Sequence, residues 1–176
     1  MFPRRQGDPS RASRNKPLPR DTVDSAPRWG TIRAMNNQII YPRSPRETMH
    51  GWMHLPRYLD KVRLHLAGRL PADYQPNFGQ GFDGRWLAAA GLTHEQFIDV
   101  VKNTVTDGEV CDWVRLNVLK SDTEKSAHAE GMANYPKPGD TALEERLAQR
   151  KAAAGLSHRT DLKCFVDFID ADEKRK

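Results

Sequence analysis

Leu55-Pro-Arg-Tyr-Leu-Asp-Lys-Val-Arg-Leu-His-Leu-Ala-Gly-Arg-Leu70 is the stretch whose reading decides the fold. Its apolar residues 55, 59, 62 and 66 recur every three or four positions, the period of one helical face. Pro56 falls in the first turn, where a missing N–H costs nothing. The spacing therefore predicts an amphipathic helix from Leu55 to about Leu70. Its outward side is expected to carry Arg57, Asp60, Lys61 and Arg63, and surface ion pairs at helical spacing are the simplest reading of those charges.

Downstream, Pro71 to Gly81 contains two prolines, two glycines and Asn77 and reads as a loop. A helix over about Asp83–Ala90 would bury Trp86, Leu87 and Ala90. Gly91 suits a left-handed C-terminal cap, Thr93 with Gln96 a capping box, and Leu92 a staple onto Phe97. The same grammar recurs at Val105, Thr106, Glu109 and Val110. Helices over about 94–103 and 107–119 follow, with Phe97, Ile98 and Val101 inward in one and Val110, Cys111, Val114 and Val118 in the other. Ser121 and Glu124 could open a further helix, but Ala127 and Met132 are its only core candidates, so a weakly packed or irregular connection is expected. Asp140 can cap a helix reaching Ala154, and a last helix from about His158 to Ala171 would bury Leu162, Phe165, Val166 and Ile169. No segment alternates over strand length except Met35–Tyr41, a candidate short strand or extended arm.

Charge is unevenly placed. The chain of 176 residues has 28 Lys+Arg against 23 Asp+Glu, a formal charge of +5. Residues 1–40 hold eight bases and three acids, while from Tyr41 onward there are 20 of each, so the whole +5 resides in the first 40 residues. That segment also has five of the twelve prolines and no helical periodicity, which predicts a disordered arm. Such an arm is a solubilising extension or a nucleic-acid tether that neutralises phosphates. The body itself is electrically neutral.

A mean hydropathy of −0.76, with no apolar run of the roughly 18 residues a spanning helix needs, argues against a membrane protein. Two cysteines cannot form a dense disulfide framework, and no opening apolar stretch resembles a signal peptide. The expected compartment is the cytoplasm.

Few residue patterns point to chemistry. Gly79-Gln-Gly81-Phe-Asp-Gly84 has the spacing of a dinucleotide-binding fingerprint, but it follows a proline-broken loop instead of a strand. Its glycines could still expose backbone N–H groups to an anion. His50 and His54 are four apart, yet Pro56 and the intervening Gly51 argue against a metal-binding helical face. His65 is expected to be half-buried, and His94, His128 and His158 to be surface residues. Cys111 and Cys164 read as buried thiols. No recognisable nucleophile, base or metal cage is present.

A resemblance adds to this. Tyr41-Pro-Arg-Ser-Pro-Arg46, Leu55-Pro-Arg57, Leu59-Asp-Lys61, Arg63 and Leu66-Ala-Gly68 form one set of familiar blocks. Asp107, Glu109-Val110, Trp113, Arg150-Lys151, Gly155-Leu156 and Phe168-Ile-Asp-Ala-Asp-Glu173 form another. Over about residues 41–173 the chain resembles a bacterial family known as domain of unknown function 5069. The resemblance implies a cytoplasmic bacterial protein of helical fold and transfers no catalytic role to any residue.

The expected fold class is therefore all-α: about five to six short helices over residues 41–173, with a disordered arm at 1–40 and a tail at 174–176. The expected function is a noncatalytic binding or interaction module whose surface includes Arg57, Asp60, Lys61 and Arg63 around the loop of Gly79, Gly81 and Gly84. The alternative is an enzyme or small-anion-binding protein. There, Arg57 or Arg63 would hold an anion and His65 or Asp60 would move a proton. Nucleic-acid contact through residues 1–40 is a third reading. The expected partner is a protein or a small anionic ligand, with no metal and no cofactor. Convergence of Arg57, Arg63, His65 and the glycine loop on one pocket would favour the alternative; separation onto different faces would count against it.

Overall fold

A short hairpin opens the fold. Thr48–Met49 (β1) pairs antiparallel with Trp52–Met53 (β2), in register Thr48 to Met53 and Met49 to Trp52. Between them His50 and Gly51 both have positive φ, 48° and 79°, the tight-turn geometry that matches the twist of paired strands. The computed structural model describes residues 40–176. The basic arm expected at 1–40 and most of the strand expected over 35–41 thus lie outside the described residues, and Ile40 and Tyr41 are in no strand.

Among the described residues seven α-helices follow: α1 Leu55–Leu66, α2 Phe82–Ala90, α3 His94–Lys102, α4 Asp107–Asn117, α5 Asp122–Ala133, α6 Thr141–Ala153 and α7 Phe165–Asp172. The fold is all-α apart from the hairpin. A 3-10 helix, Ala72–Asn77, occupies part of the segment expected to be a loop.

Local chemistry explains the starts. Pro56 sits in the first turn of α1. Complete capping boxes open α3 (Thr93 with Gln96), α4 (Thr106 with Glu109) and α5 (Ser121 with Glu124). Asp140 caps α6 through the Leu143 N–H, and Gly91 ends α2 at φ 74°. Each N-terminal cap satisfies helix-end N–H groups that would otherwise lack partners, while the Gly91 N–H meets carbonyls at the end of α2.

Several expectations need correction. α1 stops at Leu66, four residues early, because the chain turns back so that the Arg69 N–H reaches the Leu64 carbonyl at 2.8 Å. Leu66 is consequently exposed. The Val105 staple does not form, since that side chain is 84% exposed. α4 stops at Asn117, two residues before the expected end. α5 is a regular helix, with Met132 buried, Ala129 partly buried and Ala127 exposed. Its other buried residue is Lys125, whose stem lies over Gly51. α7 starts at Phe165, well after His158, with Cys164 Sγ as its capping acceptor. Cys111 is only partly buried, as are Ile98, Phe165 and Ile169.

The main core joins Trp52 of β2, Leu55, Tyr58, Leu59 and Val62 of α1, Trp86 of α2, Phe97 of α3 and Val110 and Val114 of α4. Aromatic rings meet edge to face, tilted or stacked, as Trp52 with Trp86 at 6.3 Å, Trp86 with Phe97 at 4.8 Å and Tyr58 with Phe97 at 4.8 Å. Each such fully buried side chain contributes about 1.5–3 kcal/mol through removal from water. A smaller cluster, Met53, Met132, Cys164 and Val166, fastens α5 and α7 beneath the hairpin. The two clusters leave a cleft between α1 and the α2 start on one side and α6 and α7 on the other.

Candidate functional site

The cleft has a volume of about 490 Å³. α1 contributes Arg57 and Lys61, the 3-10 helix Asp73, Tyr74 and Asn77, and the turn into α2 contributes Gly81, Phe82 and Arg85. Across from them stand Leu143, Arg146 and Arg150 of α6 and Phe165, Phe168, Ile169 and Asp172 of α7. Tyr135, His54, Tyr41, Pro71, Gln80 and Glu173 complete the lining. A concave, aromatic-rich cavity with a few convergent charges is the usual form of a small-molecule site.

The α1 wall is held by buried ion pairs. Arg57 is 3% exposed and meets Glu173 through both terminal nitrogens, at 2.9 and 2.5 Å. It also donates to the Arg43 carbonyl at 2.8 Å, and the Tyr74 hydroxyl donates to Glu173. Burial alone would lower the Arg57 pKa, but the Glu173 contact outweighs it and holds the guanidinium more firmly charged. Burial would likewise raise Glu173, yet its bonds to Arg57, Tyr74 and Arg175 keep it below the ordinary carboxylate range.

One turn on, Lys61 Nζ donates to both oxygens of Asp83, each at 2.9 Å. Asp83 is fully buried and also accepts the Gly79 N–H at 3.1 Å and a bond from His54 Nε2 at 2.8 Å. Burial pushes that carboxyl up, but donors from His54 and Lys61 bring it net below its usual value. Burial pushes His54 down to about 4 in spite of Asp83, so its imidazole is neutral at pH 7. His54 Nδ1 has no partner among the described residues. An unpaired buried acceptor of this kind costs about 1–3 kcal/mol.

The other cations of the cleft are different. Arg146 and Arg150 lie one turn apart on α6, both exposed, and neither forms an ion pair among the described residues. Arg85 stacks over the Tyr135 ring at 3.7 Å and also lacks a carboxylate partner there. Tyr135 packs on Phe165 and Phe82 at centroid distances of 5.6 and 5.9 Å, which makes a continuous aromatic surface beside the arginines. Asp73 and Asp172 are exposed at the mouth, and burial together with nearby Glu173 raises the Asp172 pKa.

The residues singled out from sequence therefore divide. Arg57, Lys61 and Gly81 line the cleft. Arg57 and Lys61 are buried, however, so they do not form the solvated face or the surface ion pairs expected of them. Asp60 and Arg63 belong to the other side of α1. There Arg43 grips both Asp60 oxygens, at 2.8 and 2.7 Å, and reaches Asp107 at 2.7 Å, while Arg63 also bonds Asp107. That network ties the segment before the hairpin to α1 and α4. His65 is exposed rather than half-buried and tilts against Phe78 at 4.6 Å, away from the cleft. Arg57, Arg63 and His65 thus do not converge.

The glycine loop binds an anion of the chain's own. Gly79, at φ 73°, gives its N–H to Asp83, and a Cβ there would lie 2.6 Å from the His94 ring. Gly84 is packed against the Gly79 carbonyl and does not line the cleft. His94 is partly buried and shares a 2.5 Å hydrogen bond with the Tyr58 hydroxyl, and His128 packs on Trp52 at 5.3 Å, so neither is the surface residue expected. Sequence reasoning missed Arg85, Tyr135, Arg146 and Glu173 as cleft residues, and Asp83 as the buried carboxylate that holds His54 and Lys61. The one legible signal was the pairing of Arg146 with Arg150 at helical spacing, beside a buried Leu147.

Fold and cleft together define a small all-α domain with a cationic, aromatic-lined cavity. Within that class, residues 39–175 match the family described as Domain of unknown function (DUF5069), and the chain belongs to it. No curated protein matches the chain. No helix among the described residues is long and apolar enough to cross a membrane.

Proposed function

We propose that the domain is a noncatalytic binding module for a small anion with a ring-bearing or otherwise apolar body. The observation that carries this is that Arg85 of α2 and, across the cleft, Arg146 and Arg150 of α6 lack carboxylate partners among the described residues and line the same cavity as Tyr135, Phe165 and Phe82. An anionic head would meet the arginines, whose forked donors suit carboxylate or phosphate, and the body would cover the rings. The noncatalytic part is supported by Tyr74, which is bonded to Glu173 with its pKa raised by burial, and by the thiols, neither of which lines the cavity.

The test is thermal shift and calorimetry of the full chain with phenyl phosphate, benzoate, inorganic phosphate and neutral benzamide. A ligand that binds only the native state raises its stability. Phenyl phosphate should raise the melting temperature, benzamide should not, and the Arg146→Ala/Arg150→Ala variant should lose the response. Binding by none of the anions, or undiminished binding by the double variant, overturns the reading.

The bacterial, cytoplasmic setting implied by the family resemblance belongs to this proposal and is supported by two free thiols, Cys111 and Cys164. Nucleic-acid contact through residues 1–40 is separate and rests on their charge. Equal salt-dependent DNA binding after Arg4, Arg5, Arg11 and Arg14 are changed to Gln would sink it.

A further inference from the structure

The cleft holds charges of both signs that the fold leaves without partners. Among its lining cations Arg57 is taken by Glu173 and Lys61 by Asp83, which leaves Arg85, Arg146 and Arg150. The lining carboxylates divide in the same way. Glu173 is occupied by Arg57, Tyr74 and Arg175. Asp73 of the 3-10 helix and Asp172 of α7 line the cleft with no hydrogen bond or ion pair from their side chains among the described residues. These two acids stand within electrostatic reach of each other and of Arg150. Burial first, then the charges of Glu173 and Asp73, hold the Asp172 carboxyl above its ordinary value, while Arg150 pulls it down.

Opposite charges that share a cavity without bridging match a ligand that itself carries both signs. The count also sets the ligand's net charge. His54 is neutral, so three guanidinium groups face two carboxylates, a surplus of one positive charge. A phosphate monoester ionises for the second time at about pH 6 and an alkylammonium loses its proton at about pH 10. At pH 7 the two groups on one molecule leave a single negative charge, which complements that surplus. A simple amino carboxylate has no net charge and matches it less well.

Resting on the reading of the cleft as an anion site, we propose that its ligand is an ammonium-bearing phosphate monoester, whose phosphate is held by the free arginines and whose ammonium is received by Asp73 and Asp172. The rings of Tyr135, Phe165 and Phe82 cover the body that joins the two groups. Neighbouring carboxylates with no cation between them repel, and the ammonium removes that cost. Both acids are exposed, so the pairing changes affinity by a few-fold and not by orders of magnitude.

The experiment is calorimetry of the full chain at pH 7 with aminomethyl-, aminoethyl- and aminopropyl-substituted phenyl phosphates, the chain standing para to the phosphate. Each is paired with the alkyl counterpart that has a methyl group in place of the ammonium. At least one amino probe should bind about three- to tenfold tighter than its counterpart at low salt, and the preference should shrink as salt is added. With aspartate carboxyl carbons labelled, that probe should move the Asp73 and Asp172 resonances while its counterpart leaves them in place. In Asp73→Asn/Asp172→Asn the ratio of the two affinities should fall to about one. Amino probes that bind no tighter, or a preference that leaves both aspartate resonances unmoved or survives in the double variant, overturn the inference. If the alkyl probes bind and the ammonium makes no difference, only this inference fails. If no probe binds, the anion reading itself fails and this one falls with it.

Discussion

Arg57 and Lys61 on α1 and Arg146 and Arg150 on α6 line one cleft, and each pair is separated by a single helical turn. On α1 both cations are buried and each has its own carboxylate, Glu173 or Asp83. On α6 both are exposed and neither has one among the described residues. A buried charge requires a partner to be tolerated at all, whereas an exposed one is supported by water. The α1 cations are therefore committed to the fold, and the α6 cations remain available to a ligand.

The sharpest break of this contrast is at Asp83. Asp83→Ala leaves Lys61 buried without its carboxylate and the Gly79 N–H without its acceptor. Denaturant unfolding should show a loss of about 3–5 kcal/mol. A loss below about 1 kcal/mol would mean that Lys61 escapes to solvent and the α1 wall is no more committed than α6.

Acid probes the same wall more gently. His54 titrates at about 4 in the fold against 6.5 unfolded, so between those values the unfolded chain binds the proton first. Stability should thus fall as pH drops from 6.5 to 4, by about 3 kcal/mol in all, and rise again on return. Asp83, held below the ordinary aspartate value, adds a further loss only as pH falls below that value. Unfolding curves at pH 7, 5 and 4 check the slope, which should largely vanish in His54→Asn.

Gly79→Ala should cost about 1–3 kcal/mol, because φ is 73° and the new methyl meets His94. By calorimetry, Arg146→Ala and Arg150→Ala should change stability by no more than about 0.5 kcal/mol each. A large loss at either would show that α6 is held by an interaction like those on α1.

Legibility from sequence followed the range of the interactions. Thr93 with Gln96 and Thr106 with Glu109 were readable because a capping box lies within four residues. α5 was not, since its inward set is the Lys125 stem, His128, Ala129 and Met132, which does not look apolar. The hairpin escaped because each strand has only two residues, too few to alternate. Arg57 looked solvated for a different reason: its carboxylate partner, Glu173, is 116 positions away. Asp60 and Arg63 share the same helix as Arg57 and Lys61, but their partners Arg43 and Asp107 come from other segments and draw them to the opposite side. Spacing on α1 sets Arg57 and Lys61 apart from Asp60 and Arg63 but does not say which set is buried.

The most direct measurement follows the arginine side-chain Nε resonances of the full chain during a phenyl phosphate titration. Arg146, Arg150 and Arg85 should shift together and saturate at one common affinity, while Arg43 and Arg63 on the far side of α1 stay fixed. Saturable shifts at Arg43 and Arg63, or equal unsaturating shifts at every exposed arginine, would contradict the division between committed and available cations.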